Sequence, residues 1–62
     1  MGSIVHAAVR LSKRVSEIAA CSRGEAEQYI EGGWVRVDGA VICAPGFKVS
    51  KETVELDAQA SL

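Results

Sequence analysis

The sequence has few of the residues that build disulfide or metal sites in small proteins. Its only cysteines are Cys21 and Cys43, with no CxxC pair. A disulfide framework in so short a chain usually needs four or more cysteines. Structural zinc needs about four Cys or His ligands, and with His6 this chain offers three. We expect two reduced, partly buried thiols, with one disulfide as the alternative, and no metal or other cofactor. Reduced thiols are typical of the cytoplasm, where we expect the protein to be located.

A long hydrophobic run and a catalytic constellation are also missing. No apolar run approaches the ~20 residues needed to cross a bilayer, so a membrane partner is not expected. The chain has 62 residues, and at that length folding buries only about 60% of the chain surface. Little remains to form a closed pocket, and no nucleophile–base pair stands out. We expect a monomeric binding module that is not itself an enzyme.

Charge is nearly balanced overall but unevenly distributed. Residues 1–23 carry four basic side chains and one acidic side chain, whereas residues 24–62 carry three basic and seven acidic ones. A concentrated basic surface can bind phosphates while the rest of the protein stays acidic. An ordinary solvated helix face has the same composition, so charge alone leaves both interpretations open.

Two helices are predicted in the first half of the chain. The first covers residues 11–20, begins at a cap on Ser12 and buries apolar residues at helical spacing, namely Leu11, Val15, Ile18 and Ala19. The second begins at a capping box formed by Ser22 and Glu25. It buries Ala26, Tyr29 and Ile30 and ends at Gly32-Gly33, because glycine accepts the left-handed conformation of a helix C-terminus.

Strand-like alternation follows the helices. Asp38-Gly39 predicts a two-residue hairpin turn that places Val35 and Val37 on one face, with Trp34 and Arg36 on the other. Residues 44–47 predict a type II turn, and further strand pieces are expected at Val49 and at residues 53–56. The predicted fold class is α+β, with two short helices packed on a small antiparallel sheet. The domain is expected to span residues 9–57, between a disordered leader at 1–8 and a tail or linker at 58–62.

Basic residues gather where the two predicted helices begin. Helix N-termini attract anions through free N–H groups and the helix dipole. Two such ends close together, edged by basic side chains, predict a phosphate-binding corner that Arg36 would extend. Trp34 has two open interpretations, which are stacking on an unpaired base and packing against the N-terminal segment or a neighbouring domain.

The series of motifs resembles the S-four RNA-binding domain. The residues that carry the resemblance are Arg10-Leu11-Ser12-Lys13, Cys21-Ser22-Arg23, Glu25-Ala26, Ile30, Gly33, Val35, Val37 and Gly39. The sequence of these motifs is most similar to that of the N-terminal domain of ribosomal RNA pseudouridine synthases. The resemblance implies the alpha-L RNA-binding motif, with RNA, in particular ribosomal RNA, as the partner. It assigns RNA contacts to Arg10, Ser12, Lys13, Arg14, Ser22 and Arg23, with help from the hairpin that carries Arg36.

The resemblance also implies a catalytic domain elsewhere in a parent chain, because pseudouridine synthases need a large catalytic domain that these residues do not include. The domain would then be an accessory module. The alternative is a protein-interaction or structural domain that keeps the fold without binding RNA. The acidic second half and the uncharged Gly24 after Arg23 favour that alternative.

Overall fold

A computed structural model describes residues 8–61 of the chain. The predicted leader at residues 1–8 therefore lies outside the described residues, apart from Ala8. Two helices and five short strands follow one another in the order β1 (Val9–Arg10), α1 (Leu11–Ala19), α2 (Arg23–Glu31), β2 (Val35–Val37), β3 (Ala40–Val41), β4 (Lys48–Val49) and β5 (Val54–Leu56).

The strands form two separate antiparallel sheets. A three-stranded sheet has the order β3-β2-β5, and a two-stranded ribbon pairs β1 with β4. Strand β1 was not predicted, because two residues carry no periodicity and the partner of β1 lies almost forty residues further along the chain. The α+β prediction is confirmed, with the small sheet divided into two pieces.

The core lies between the helices and the strands. It contains residues from both helices and from strands β2 and β4, and its members are Leu11, Val15, Ala26, Ile30, Val35, Val37 and Val49. The predicted stripe of α2 is confirmed, with Tyr29 only partly buried. Ile18 was predicted to be buried and is 48% exposed. In a domain this small the partners of α1 cover only a narrow strip of that helix, so the outermost apolar position remains in solvent.

Helix α2 begins and ends as its sequence predicts. The Ser22 hydroxyl accepts a hydrogen bond from the Glu25 N–H (3.1 Å), and the Glu25 carboxylate accepts one from the Ser22 N–H (3.2 Å). At the other end, the Trp34 N–H donates to the Tyr29 carbonyl and the Gly33 N–H donates to the Ile30 carbonyl. This is a Schellman motif, and Gly33 supplies its left-handed residue at φ 83°.

The turns agree with the sequence in one case and differ in another. Asp38 and Gly39 both have positive φ and join Val37 to Ala40, as a type I′ hairpin turn requires. The second turn is closed by the Phe47 N–H and the Ala44 carbonyl (3.0 Å). Its Gly46 does not adopt the positive φ that a type II turn needs at this position. The type II prediction is therefore wrong, although the turn is where it was expected.

The predicted state of the cysteines is confirmed in one respect and corrected in another. Both thiols are free, and Cys21 is half-buried against the core. Cys43 is exposed, because it follows the β3 strand at the edge of the three-stranded sheet. The expectation of partial burial therefore holds for one thiol only.

Helix α1 ends on a strained residue, which gives a stability prediction. Ala20 adopts the left-handed conformation (φ 54°, ψ 47°) at the C-terminus of α1. An L-residue in this region costs about 1–2 kcal/mol, and glycine avoids most of that cost. We expect Ala20→Gly to raise the free energy of unfolding by about 1 kcal/mol, as measured by urea denaturation. The neighbouring variant Ala19→Gly, inside the helix, should lower it by about 0.5–1 kcal/mol. Equal effects of the two substitutions would contradict the strain at Ala20.

Candidate nucleic-acid interface

The predicted RNA contacts are distributed over three parts of the fold. Arg10 ends β1 and precedes α1, Lys13 and Arg14 lie on α1, Ser22 and Arg23 open α2, and Arg36 lies in β2. Ser12 lies inside the first turn of α1 and is only 4% exposed. It neither caps the helix, whose N-cap is Arg10, nor presents its side chain to a ligand on the surface. Its burial argues against the direct RNA contact that was predicted for it.

The start of α1 is closed by the protein's own backbone. The Leu11 N–H donates to the Phe47 carbonyl (2.7 Å), and the Ser12 N–H donates to the Pro45 carbonyl (3.4 Å). These are among the N–H groups that a helix leaves free at its N-terminus, and they are the groups that would bind an anion. The turn that contains Pro45 and Phe47 therefore occupies the position expected for a phosphate.

The start of α2 is closed as well, by a carboxylate. The capping box places the Glu25 side chain against the Ser22 N–H and commits the Ser22 oxygen to the Glu25 N–H. The Glu25 carboxylate thus lies at the positive end of the α2 dipole, where a phosphate would otherwise be stabilised. The protein's own groups therefore occupy part of each helix N-terminus, which counts against a phosphate-binding corner made of these ends and favours phosphate contacts through side chains.

The two helix starts are also separated along the molecule. Helix α1 has nine residues, so it advances roughly 12 Å from its first to its last residue. Arg10 precedes one end of α1, and Arg23 follows the other end after a three-residue connection. The basic residues are therefore spread as a row over the length of α1 and do not meet at one corner.

Two of the predicted cations are neutralised within the protein. Arg14 pairs with Glu17 (3.8 Å), and Arg36 pairs with Asp57 (3.2 Å). The Gln59 backbone N–H and then the Arg36 guanidinium hold the pKa of the Asp57 carboxyl below its usual value. Arg36 also lies on the outer face of its sheet, because the flanking Val35 and Val37 are buried against the helices and side chains alternate along a strand. The structure therefore does not bring Arg36 together with the basic residues of α1.

Arg14 is further surrounded by negative charge. Backbone N–H groups of Ser50 and of Glu52 itself lower the pKa of the Glu52 carboxyl, and the nearby Arg14 charge lowers it further. Glu17 and Glu52 both lie near Arg14. Their negative charges weaken the attraction between the Arg14 guanidinium and a phosphate.

Three predicted contacts keep an exposed and unpaired charge. Arg10, Lys13 and Arg23 are exposed, and within residues 8–61 no carboxylate oxygen lies within 4.0 Å of their charged atoms. These three residues form the candidate interface. Lys48 was missed by the sequence interpretation and lies directly across the ribbon from Arg10. Only the pairing of β1 with β4 identifies it, and β1 carried no detectable sequence signal.

Trp34 packs against its own chain. A Cβ atom added at Gly32 would meet the Trp34 indole at 3.1 Å, so the ring lies over the end of α2. The residue is half-buried. The indole therefore covers the adjacent Gly32 backbone. That backbone is neither an unpaired base nor the N-terminal segment, which were the contacts expected for Trp34.

Two other kinds of site were sought in residues 8–61. In this range, no helix combines the length and the apolar character needed to cross a bilayer. In the same part of the chain, no three His, Cys, Asp or Glu side chains are grouped so that they could hold a metal ion.

Comparison with known proteins gives one family. A family model described as the S4 domain matches residues 9–54, which extend from β1 to the first residue of β5. No curated protein matches the chain. The matched range contains Arg10, Lys13 and Arg23 as well as the Asp38-Gly39 turn.

Proposed function

Because the chain belongs to the S4 domain family, whose members bind RNA, we propose that it binds structured ribosomal RNA through the phosphate backbone. The observation that carries this proposal is the row of exposed, unpaired cations Arg10, Lys13 and Arg23 along α1. Ion pairs engage Arg14 and Arg36, so among the predicted contact cations only these three keep a charge that the protein itself does not pair.

Recognition of shape, rather than of base sequence, is the mode that these residues favour. Double-stranded RNA is bound mostly through phosphate and 2′-hydroxyl contacts, because its deep major groove is inaccessible to side chains. The exposed face of α2 carries Glu27, Gln28 and Glu31, and carboxylates would repel phosphates if that helix entered a groove. The proposed contact is therefore the α1 side of the molecule, with α2 facing away from the RNA beyond Arg23.

The finer proposal is that the domain is the accessory N-terminal module of a pseudouridine synthase. Its support is the sequence similarity to the N-terminal domain of these enzymes around Arg10-Leu11-Ser12-Lys13 and Cys21-Ser22-Arg23. In this proposal the domain has no catalytic role of its own and holds a linked catalytic domain near the RNA, which raises the effective concentration of the target. The free thiols of Cys21 and Cys43 are compatible with a cytoplasmic location.

A salt titration tests the RNA proposal. Each phosphate contact to a single strand or a duplex contributes about 0.7–0.9 to the slope of log K against log salt concentration. Three or four side-chain contacts should therefore give a slope of about −2 to −4 for binding to a ribosomal RNA hairpin, measured by fluorescence anisotropy. A flat response between low and physiological salt would contradict backbone recognition.

A protein-interaction role is the second candidate. The acidic exposed face of α2, with Glu27 and Glu31, favours it because such a face suits a basic protein partner. Amide chemical-shift mapping separates the two roles. Shifts at Arg10, Lys13 and Arg23 on addition of ribosomal RNA support RNA binding, whereas shifts confined to the α2 face on addition of a basic protein support the alternative.

A further inference from the structure

Two cations face each other across the β1–β4 ribbon. The register of this antiparallel pair places Arg10 opposite Lys48 and Val9 opposite Val49. Val49 is fully buried and Val9 packs against the core. Because successive side chains of a strand point to opposite faces, Arg10 and Lys48 share the face that points away from the core. Both residues are exposed.

The hydrogen bonds of the ribbon place these two residues at the closest type of cross-strand position. The Leu11 N–H donates to the Phe47 carbonyl at 2.7 Å, which is one of the two bonds of a hydrogen-bonded position in the antiparallel ladder. The neighbouring pair in an antiparallel ladder is then a non-hydrogen-bonded one, with Cα atoms about 4.5 Å apart and side chains closer together. Arg10 and Lys48 occupy that position.

Like charges directly opposite each other destabilise a strand pair. Within residues 8–61 no carboxylate oxygen lies within 4.0 Å of the charged atoms of Arg10 or Lys48. The repulsion is therefore not relieved by the protein itself, although eight acidic residues are present in the chain. An external anion between the two side chains would relieve it.

We propose that Arg10 and Lys48 form a clamp that holds one phosphate group of the bound RNA. This assignment rests on the proposed function and adds the β1–β4 ribbon to the interface, with Lys48 as a contact residue. The clamp extends the row of cations along α1 beyond the start of that helix.

The position of the clamp is fixed by the backbone around it. The Phe47 and Pro45 carbonyls accept hydrogen bonds from the first two residues of α1, so the segment that leads into Lys48 is tied to the helix. The backbone that carries this cation is already ordered before binding, so only the side chain must be fixed, which favours affinity. Lys51 is also exposed, but it lies in a bend between β4 and β5 and has no partner in the strand ladders.

The two lysines provide a matched test in the intact protein. Lys48→Gln and Lys51→Gln remove the same charge from the same residue type. At 0.1 M salt, we expect Lys48→Gln to weaken binding to a ribosomal RNA hairpin about five- to eightfold and to reduce the salt slope by about 0.7–0.9, as for one lost phosphate contact. Lys51→Gln should change the affinity less than twofold. Equal effects of the two variants, alongside salt-dependent binding by the unmodified protein, would overturn the clamp and leave the proposed function intact.

A second measurement does not use RNA. At low salt, Lys48→Gln should raise the urea midpoint of the free protein, because it removes the repulsion with Arg10, and high salt should abolish the difference. Added inorganic phosphate should raise the midpoint of the unmodified protein more than that of Lys48→Gln. If the unmodified protein binds no RNA, the proposed function fails. An equal response of both proteins to phosphate would then overturn the clamp on its own.

Discussion

Replacing Ile30 with alanine is expected to remove about half of the free energy of unfolding of the protein. Ile30 is fully buried and lies in the core with Leu11, Val15 and Val35. Truncating a buried isoleucine to alanine costs about 2–5 kcal/mol, through lost burial and the cavity left behind. A domain of 62 residues has a total stability of roughly 3–9 kcal/mol. The substitution therefore removes roughly half of that stability, and its urea midpoint, followed by far-UV circular dichroism, should fall by about the same fraction.

The matched control is Ile18, the isoleucine of the other helix. Ile18 lies on α1 and is 48% exposed, so Ile18→Ala removes the same atoms from a site that stays largely in solvent. Its cost should be no more than about 1 kcal/mol. Similar losses for the two variants would mean that the core does not lie where the structure places it.

Reversing the charge of Arg23 is expected to produce the largest loss of RNA affinity among single variants. Arg23 is exposed at the first position of α2 and has no ion pair within residues 8–61. Arg23→Gln should weaken binding about five- to eightfold at 0.1 M salt, because one phosphate contact is lost. Arg23→Glu changes the charge twice as much, and the loss should be roughly 25- to 60-fold on the same scale. Fluorescence anisotropy with a ribosomal RNA hairpin measures both.

The fold should survive either substitution of Arg23. An acidic residue in the first turn of a helix interacts favourably with the helix dipole, so Arg23→Glu should unfold at the same urea concentration as the unmodified protein or slightly above it. Arg36→Gln is the affinity control, since it removes one positive charge from the outer face of the three-stranded sheet, where Asp57 already neutralises it. It should change affinity less than twofold. An effect as large as that of Arg23→Gln would show that net charge, and not the row along α1, governs binding.

Local signals explain the parts of the fold that the sequence predicted well. The capping box of Ser22 and Glu25 and the glycines that end α2 act within one helix turn. The Asp38-Gly39 turn depends on the backbone preferences of its own two residues. In each case the cause and its effect lie within a few residues, so one short segment suffices to predict the structure.

Contacts between distant segments account for what the sequence did not predict. The β1 strand exists because Val9 and Arg10 meet a strand almost forty residues later, and two residues contain no period that could signal this. The same pairing brings the Phe47 carbonyl to the start of α1, where it accepts a hydrogen bond from the Leu11 N–H. That N–H is one of the groups expected to bind an anion. The chemical types of the interface residues could be predicted, but which cations remain unpaired depended on acidic partners such as Glu17 and Asp57.

The pairing of β1 with β4 has a consequence for synthesis on the ribosome. Both helices can begin to form once residue 31 has emerged, because the capping box of α2 and the contacts between the two helices are then present. Arg10 acquires its strand partner only after Lys48 and Val49 have left the exit tunnel. A nascent chain that stops before this point would carry two helices with Arg10 still unanchored. The ribbon, and with it the complete domain, therefore forms only after almost forty further residues have followed Arg10 out of the tunnel.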